Sequence, residues 1–103
     1  MTSFARLQDW YVSQCDGDWE NSYGVSISTL DNPGWTVTID LIETSLASCE
    51  FKTLSIERTE ADWWFMKKDG LEFKIACGPR NLEEALGLFC DWADSCPVEE
   101  EAG

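Results

Sequence analysis

The stretch Trp35-Thr36-Val37-Thr38-Ile39-Asp40-Leu41 decides the fold. Successive side chains of a strand point to opposite faces, so Trp35, Val37, Ile39 and Leu41 share one side and Thr36, Thr38 and Asp40 the other. Such clean alternation belongs to an antiparallel sheet with one face buried and the other wet. Just before it, Asp31-Asn32-Pro33-Gly34 reads as a tight turn. Pro33 fixes φ at one central position and Gly34 supplies positive φ at the next, as a type II turn requires. Ahead of the turn, Val25, Ile27 and Thr29 alternate with Ser26 and Ser28, which makes a preceding strand.

Downstream, a looser segment reaches Glu50. Leu54 and Ile56 then alternate with Thr53, Ser55 and Glu57. A fourth strand runs from about Trp63 to Lys68 and turns at Asp69-Gly70, a strong hairpin signal. Its partner sets Leu71, Phe73 and Ile75 against Glu72 and Lys74. Helical spacing appears only at the two ends. Phe4, Leu7, Tyr11 and Cys15, flanked by Trp10, predict a helix over about Ser3 to Cys15 that Gly17 stops. Leu82, Ala85, Leu86, Phe89, Trp92 and Ala93 predict another over about Leu82 to Cys96. Asn81 and Glu84 have capping-box spacing at its start, and Pro97 ends it. The order α, five strands, α with short connections predicts an α+β fold. Its sheet is a five-stranded antiparallel meander, with the N- and C-terminal helices packed on one face.

One domain, residues 1–96, and a flexible acidic tail, 97–103, account for all 103 residues. Acidic residues outnumber basic ones 20 to 7, for a formal net charge of −13. The tail Glu99-Glu100-Glu101 supplies three of these charges and leaves about −10 on the folded body. A field of that sign repels nucleic acid and anionic membrane, and speeds encounter with a basic protein. No apolar run is long enough to span a bilayer and no secretory leader opens the chain. The five cysteines, Cys15, Cys49, Cys77, Cys90 and Cys96, are odd in number and lack Cys-x-x-Cys spacing. They read as free thiols in a reducing cytoplasm, with no intrachain disulfide.

Little in the chain favours catalysis. There is no His for acid–base work near neutral pH. Twenty acids make chance carboxylate pairs common. Cys77-Gly78-Pro79-Arg80 has the thiol and Arg of a sulfurtransferase-like loop, but the two stand too close together for an anion cradle. Asp16-Gly17-Asp18-Trp19-Glu20 starts like a calcium loop and lacks its later ligands. The sequence therefore predicts no catalytic residues, no metal and no cofactor. Trp63-Trp64 is more informative, because neighbours on a strand face opposite ways and one of the pair must leave the core. If Trp63 joins Phe65 inside, Trp64 faces out with Met66, where an exposed Trp suits an interface.

Several stretches resemble the immunity protein 53 family. They are Leu7-Gln8-Asp9-Trp10-Tyr11, Gln14-Cys15-Asp16-Gly17-Asp18-Trp19-Glu20, Tyr23-Gly24 and Thr29-Leu30-Asp31-Asn32-Pro33-Gly34-Trp35. Weaker likenesses follow at Asp62-Trp63 and at Asn81-Leu82-Glu83-Glu84 with Phe89 and Trp92, so the match runs from about Phe4 to Ala93. The resemblance implies an α+β bacterial immunity protein of a polymorphic toxin system. Such a protein is made beside a toxin and binds it, so the producing cell survives. With the acidity, it predicts a basic toxin domain, nuclease-like in its active site, as partner. The predicted toxin-binding residues are Asp16, Asp18, Glu20 and Trp64. A toxin-unrelated acidic interaction module and a thiol enzyme using Cys77 are the competing readings.

Overall fold

The strands lie close to where alternation puts them: β1 Val25–Leu30, β2 Gly34–Asp40, β3 Leu54–Glu57, β4 Trp63–Asp69 and β5 Glu72–Cys77. The helices are α1 Ser3–Gln14, α3 Leu82–Ser95 and a single turn, α2 Trp19–Ser22, that the sequence pattern had not suggested. The computed structural model describes residues 2–96. Pro97, expected to end α3, and the acidic tail at 97–103 lie outside the described residues.

Every neighbouring strand pair is antiparallel, as expected for this α+β fold. The connectivity, however, is not a meander. The order is β1-β2-β5-β4-β3, so segment 41–53 carries the chain to the far edge and the next three strands return toward β2. Buried apolar surface explains why this loose-looking segment crosses. Leu41 and Leu46 are fully buried, and the Phe51 ring meets Phe73 at 4.7 Å and Trp92 at 5.3 Å. The Lys68 ammonium donates to the carbonyls of Ala47 and Cys49, both at 2.7 Å, and the Trp92 indole N–H donates to that of Glu50 at 2.9 Å. Sequence separation hid these partners.

The same crossing overturns the expectation of five free thiols. Cys49 and Cys96 form a disulfide across 47 residues, tying the crossing segment to the end of α3; Cys15, Cys77 and Cys90 are free. No local spacing announces a pair that only the tertiary fold brings together.

Both terminal helices cover one sheet face, as expected. Trp10 of α1 meets Phe89 of α3 edge-on at 5.4 Å, and Phe89 packs on Phe73 of β5 at 5.0 Å. Arg6 clamps the helices together by donating to Asp91 and Asp94, each at 2.9 Å. Under them lie Val37, Ile39, Met66, Phe73, Ile75 and Cys77. Trp19 of α2 is buried as well. Its indole N–H donates to the Ile42 carbonyl at 2.8 Å and its ring meets Trp10 at 6.2 Å, so the stretch that starts like a calcium loop carries a core residue.

Three local expectations change. Gly34 does not have positive φ; the glycines that do are Gly17, which stops α1, and Gly70, in the β4–β5 turn. Gly34 instead opens β2 opposite Leu30, and a Cβ there would collide with the Cys77 carbonyl oxygen. Trp35 lies at the margin of the core, half-buried, with its indole N–H donating to the Pro79 carbonyl at 3.1 Å. Asn81 stands at the N-cap of α3 without capping it. Its buried carboxamide turns to the start of β4, accepting from the Trp63 N–H at 3.2 Å and donating to Asp62 at 2.9 Å.

Candidate functional site

The turn between α1 and β1 holds the three predicted acids together. Asp16 and Glu20 are folded back onto the backbone. One Asp16 oxygen accepts the N–H groups of Asp18 and Trp19, both at 2.9 Å, and the Glu20 carboxylate accepts those of Asp16 at 2.9 Å and Gly17 at 2.8 Å. The bonds from Trp19 and Asp18 hold the Asp16 carboxyl below its ordinary pKa. These two acids therefore build the turn that starts α2. Asp18 is exposed and makes no capping bond.

Trp64 is not part of that surface. It is 8% exposed and shares the helix-covered side of β4 with Met66, while Phe65 is 38% exposed and Trp63 is half-buried on the open side. The expected outward Trp64 is thus corrected, because the pleat is set the other way. Trp64 and Met66 register with Cys77 and Ile75 of β5, which lie under α3, and the Trp63 backbone is pinned by Asn81 and Gly78. The acids and Trp64 also stand apart in the topology, since β2 and β5 separate β1 from β4.

Two other surfaces remain. On the open sheet face, Thr36, Thr38, Phe65, Lys67, Lys74 and Ala76 border a shallow groove of about 300 Å³. Lys67 and Lys74 are direct cross-strand partners there, and Lys74 lies 3.6 Å from both Asp69 and Glu72, so the face carries both signs of charge. On the other side of the molecule, between α1 and β1, Leu7, Gln8, Tyr11, Tyr23, Gly24 and Val25 line a groove of about 410 Å³. Its surroundings are acidic: from Leu7 to Phe51 the chain has eight Asp or Glu and no Lys or Arg. Sequence reasoning noted the total charge and missed this cation-free run, although it is visible in the residue order.

The enzyme-like thiol finds no support in its surroundings. Cys77 is fully buried on the core side of β5, and burial pushes its pKa up to about 11, so it is held as a thiol rather than as the thiolate a nucleophile needs. Among the described residues no group of three or more His, Cys, Asp or Glu converges as a metal site would require. No helix among them is long and apolar enough to cross a membrane.

The domain is α+β, a five-stranded antiparallel sheet with both terminal helices on one face. The family model of immunity protein 53 matches residues 4–94, so the chain belongs to the immunity protein 53 family and is an immunity protein of a toxin–immunity system. No curated protein and no solved structure matches it.

Proposed function

We propose that this immunity protein neutralises its toxin by binding it directly in the cytoplasm, with the acidic side around the α1–β1 turn covering a basic, nuclease-like surface of the toxin domain. The supporting observation is the clustering of Asp16, Asp18 and Glu20 in one turn, within a stretch of chain from Leu7 to Phe51 that has no Lys or Arg, which gives the turn a negative local field. Such a field raises the association rate with a basic partner and weakens as salt screens it. Asp16 and Glu20 hold the turn in shape, and Asp18 meets the partner's cations. Trp64 has a packing role in this arrangement.

The experiment is surface kinetics with the toxin domain encoded by the adjacent gene, at two salt concentrations. Asp18→Lys should slow association several-fold at low salt and leave the fold intact, with a smaller effect at high salt. Binding that ignores both salt and Asp18→Lys would remove the electrostatic basis of the reading, and absence of binding would remove the reading itself.

A further inference from the structure

We propose that the free edge of β1 receives an extended, Lys- or Arg-bearing segment of the toxin domain as a sixth strand; this rests on direct toxin binding as proposed above. Among the described residues β1 is an outer strand of the sheet, paired with β2 alone. The Asp40 N–H donates to the Gly24 carbonyl at 3.0 Å, so that pair is hydrogen-bonded. Hydrogen-bonded and non-hydrogen-bonded pairs alternate along an antiparallel ladder. In the register Val25↔Ile39 to Leu30↔Gly34, Ser26, Ser28 and Leu30 therefore turn their backbone groups toward β2. Val25, Ile27 and Thr29 turn their N–H and C=O groups outward, a row of donors and acceptors at the spacing an added antiparallel strand requires.

Exposed edges are normally guarded by charge, Pro, a bulge or shortness. β1 has none of these: Val-Ser-Ile-Ser-Thr-Leu is uncharged, lacks Pro and pairs without a break over six residues. The opposite edge, β3, is guarded. It is four residues long, contains Glu57 and lies between Lys52 and Arg58. Beside the bare edge, Ile27 is 38% exposed although it points to the helix-bearing side, because α1 does not extend over it. The groove of about 410 Å³ between α1 and β1 adjoins this point and has room for an apolar side chain of an incoming strand.

Charge selects the occupant. A second copy of this chain brings a net charge of −13 against an equal charge, and the bare edge lies within the cation-free run. A toxin strand carrying Lys or Arg gains from the same field. The ladder supplies register and the groove supplies side-chain selection.

The test uses the whole chain and the toxin domain encoded by the adjacent gene. Amide hydrogen exchange followed by NMR should show protection at Val25, Ile27 and Thr29 rising on complex formation by about tenfold or more. Ser26 and Ser28, already bonded to β2, should change less. Ile27→Pro deletes an outward N–H without touching the β2 ladder, as edge strands tolerate, and should weaken toxin binding by about tenfold or more. Ile27→Lys, which keeps the N–H and sets a cation against the cationic segment, should weaken it too and covers the case in which the Pro variant does not fold. Toxin binding with unchanged exchange at the three amides, and full affinity in the folded variants, would overturn the strand addition and leave neutralisation standing. No binding by the wild-type chain would overturn both. Protection of the same amides that rises with protein concentration in the absence of toxin would assign the edge to a second copy, and so also overturn the proposal.

Discussion

The Asn81 carboxamide oxygen accepts the backbone N–H of Trp63 at 3.2 Å, so the residue at the start of the last helix fixes the start of β4. Its amide nitrogen donates to Asp62 at 2.9 Å, and Arg58 binds both Asp62, at 3.0 Å, and Glu84, at 2.8 Å. Replacing Asn81 with Ala leaves the half-buried Trp63 N–H without its partner, which costs about 1–3 kcal/mol. Urea denaturation should show that loss for Asn81→Ala. A change of only a few tenths of a kcal/mol would mean that the contact contributes little.

Gly34 is required for space rather than for φ. A Cβ at this position strikes the Cys77 carbonyl, and forcing atoms into packed structure costs about 1–3 kcal/mol. Gly34→Ala and Gly34→Asn should both destabilise by that amount. Gly70, with φ of +63° and open space around it, should accept Asn better than Ala, because Asn tolerates the left-handed region. Thermal unfolding of the four variants separates the two causes, and rescue by Asn at position 34 would contradict the collision.

The Trp63-Trp64 pair divides between two faces. Trp64→Ala empties part of the core beneath α3 and should cost roughly 3–5 kcal/mol. Trp63→Ala, on the open face, should cost clearly less. Equal losses in chemical denaturation would refute the assignment of faces.

Under denaturing, non-reducing conditions, alkylation should modify Cys15, Cys77 and Cys90 only, and reduction should release Cys49 and Cys96. Closing a loop across 47 residues restricts the unfolded chain, so reduction should lower stability by about 2–4 kcal/mol. Five modified cysteines before reduction, counted by mass spectrometry, would show that the bridge is not formed.

Arg58 holds the Asp62 and Glu84 carboxyls below their ordinary values by hydrogen bonding to their charged forms. A depressed folded pKa adds stability that is complete above the unfolded carboxylate range, near about 4, and is lost as pH falls through the lower folded values. Arg58→Gln raises those folded values. Stability should then fall less steeply between about pH 5 and pH 2 than in the wild type. Denaturation curves across that range give the two slopes, and identical slopes would dismiss the ion pairs as a source of acid sensitivity.

Alternation and helical spacing made the strands, both long helices and the shared helix-bearing face legible, because each depends on residues close in the chain. What the sequence hid depends on distant ones. The crossing of 41–53 is driven by Leu46, Phe51 and Lys68 finding partners 19 or more residues away, and the Cys49–Cys96 bridge follows from it. Trp19 looked like part of a turn because its apolar neighbours Trp10 and Tyr11 lie on a separate element, α1. The direction of the Trp63-Trp64 pleat could not be read from two identical neighbours. The exposed Phe65 breaks the rule that large apolar residues mark the buried face. Asp16, Asp18 and Glu20 share one turn because they are close in the chain, whereas the side that Trp64 faces depended on the pleat.

The strand order also sets when the sheet can close. β5 stands at the centre of the sheet, between the β1–β2 hairpin and the β3–β4 hairpin, yet among the described residues it is the last strand in sequence. Isolated two-stranded hairpins are marginal in water. A nascent chain that stops before Glu72 therefore holds two unjoined hairpins, and α3, which seals the core, comes later still. The sheet can therefore close only after β5 has been made, and a chain interrupted before Glu72 lacks the strand that joins the two hairpins.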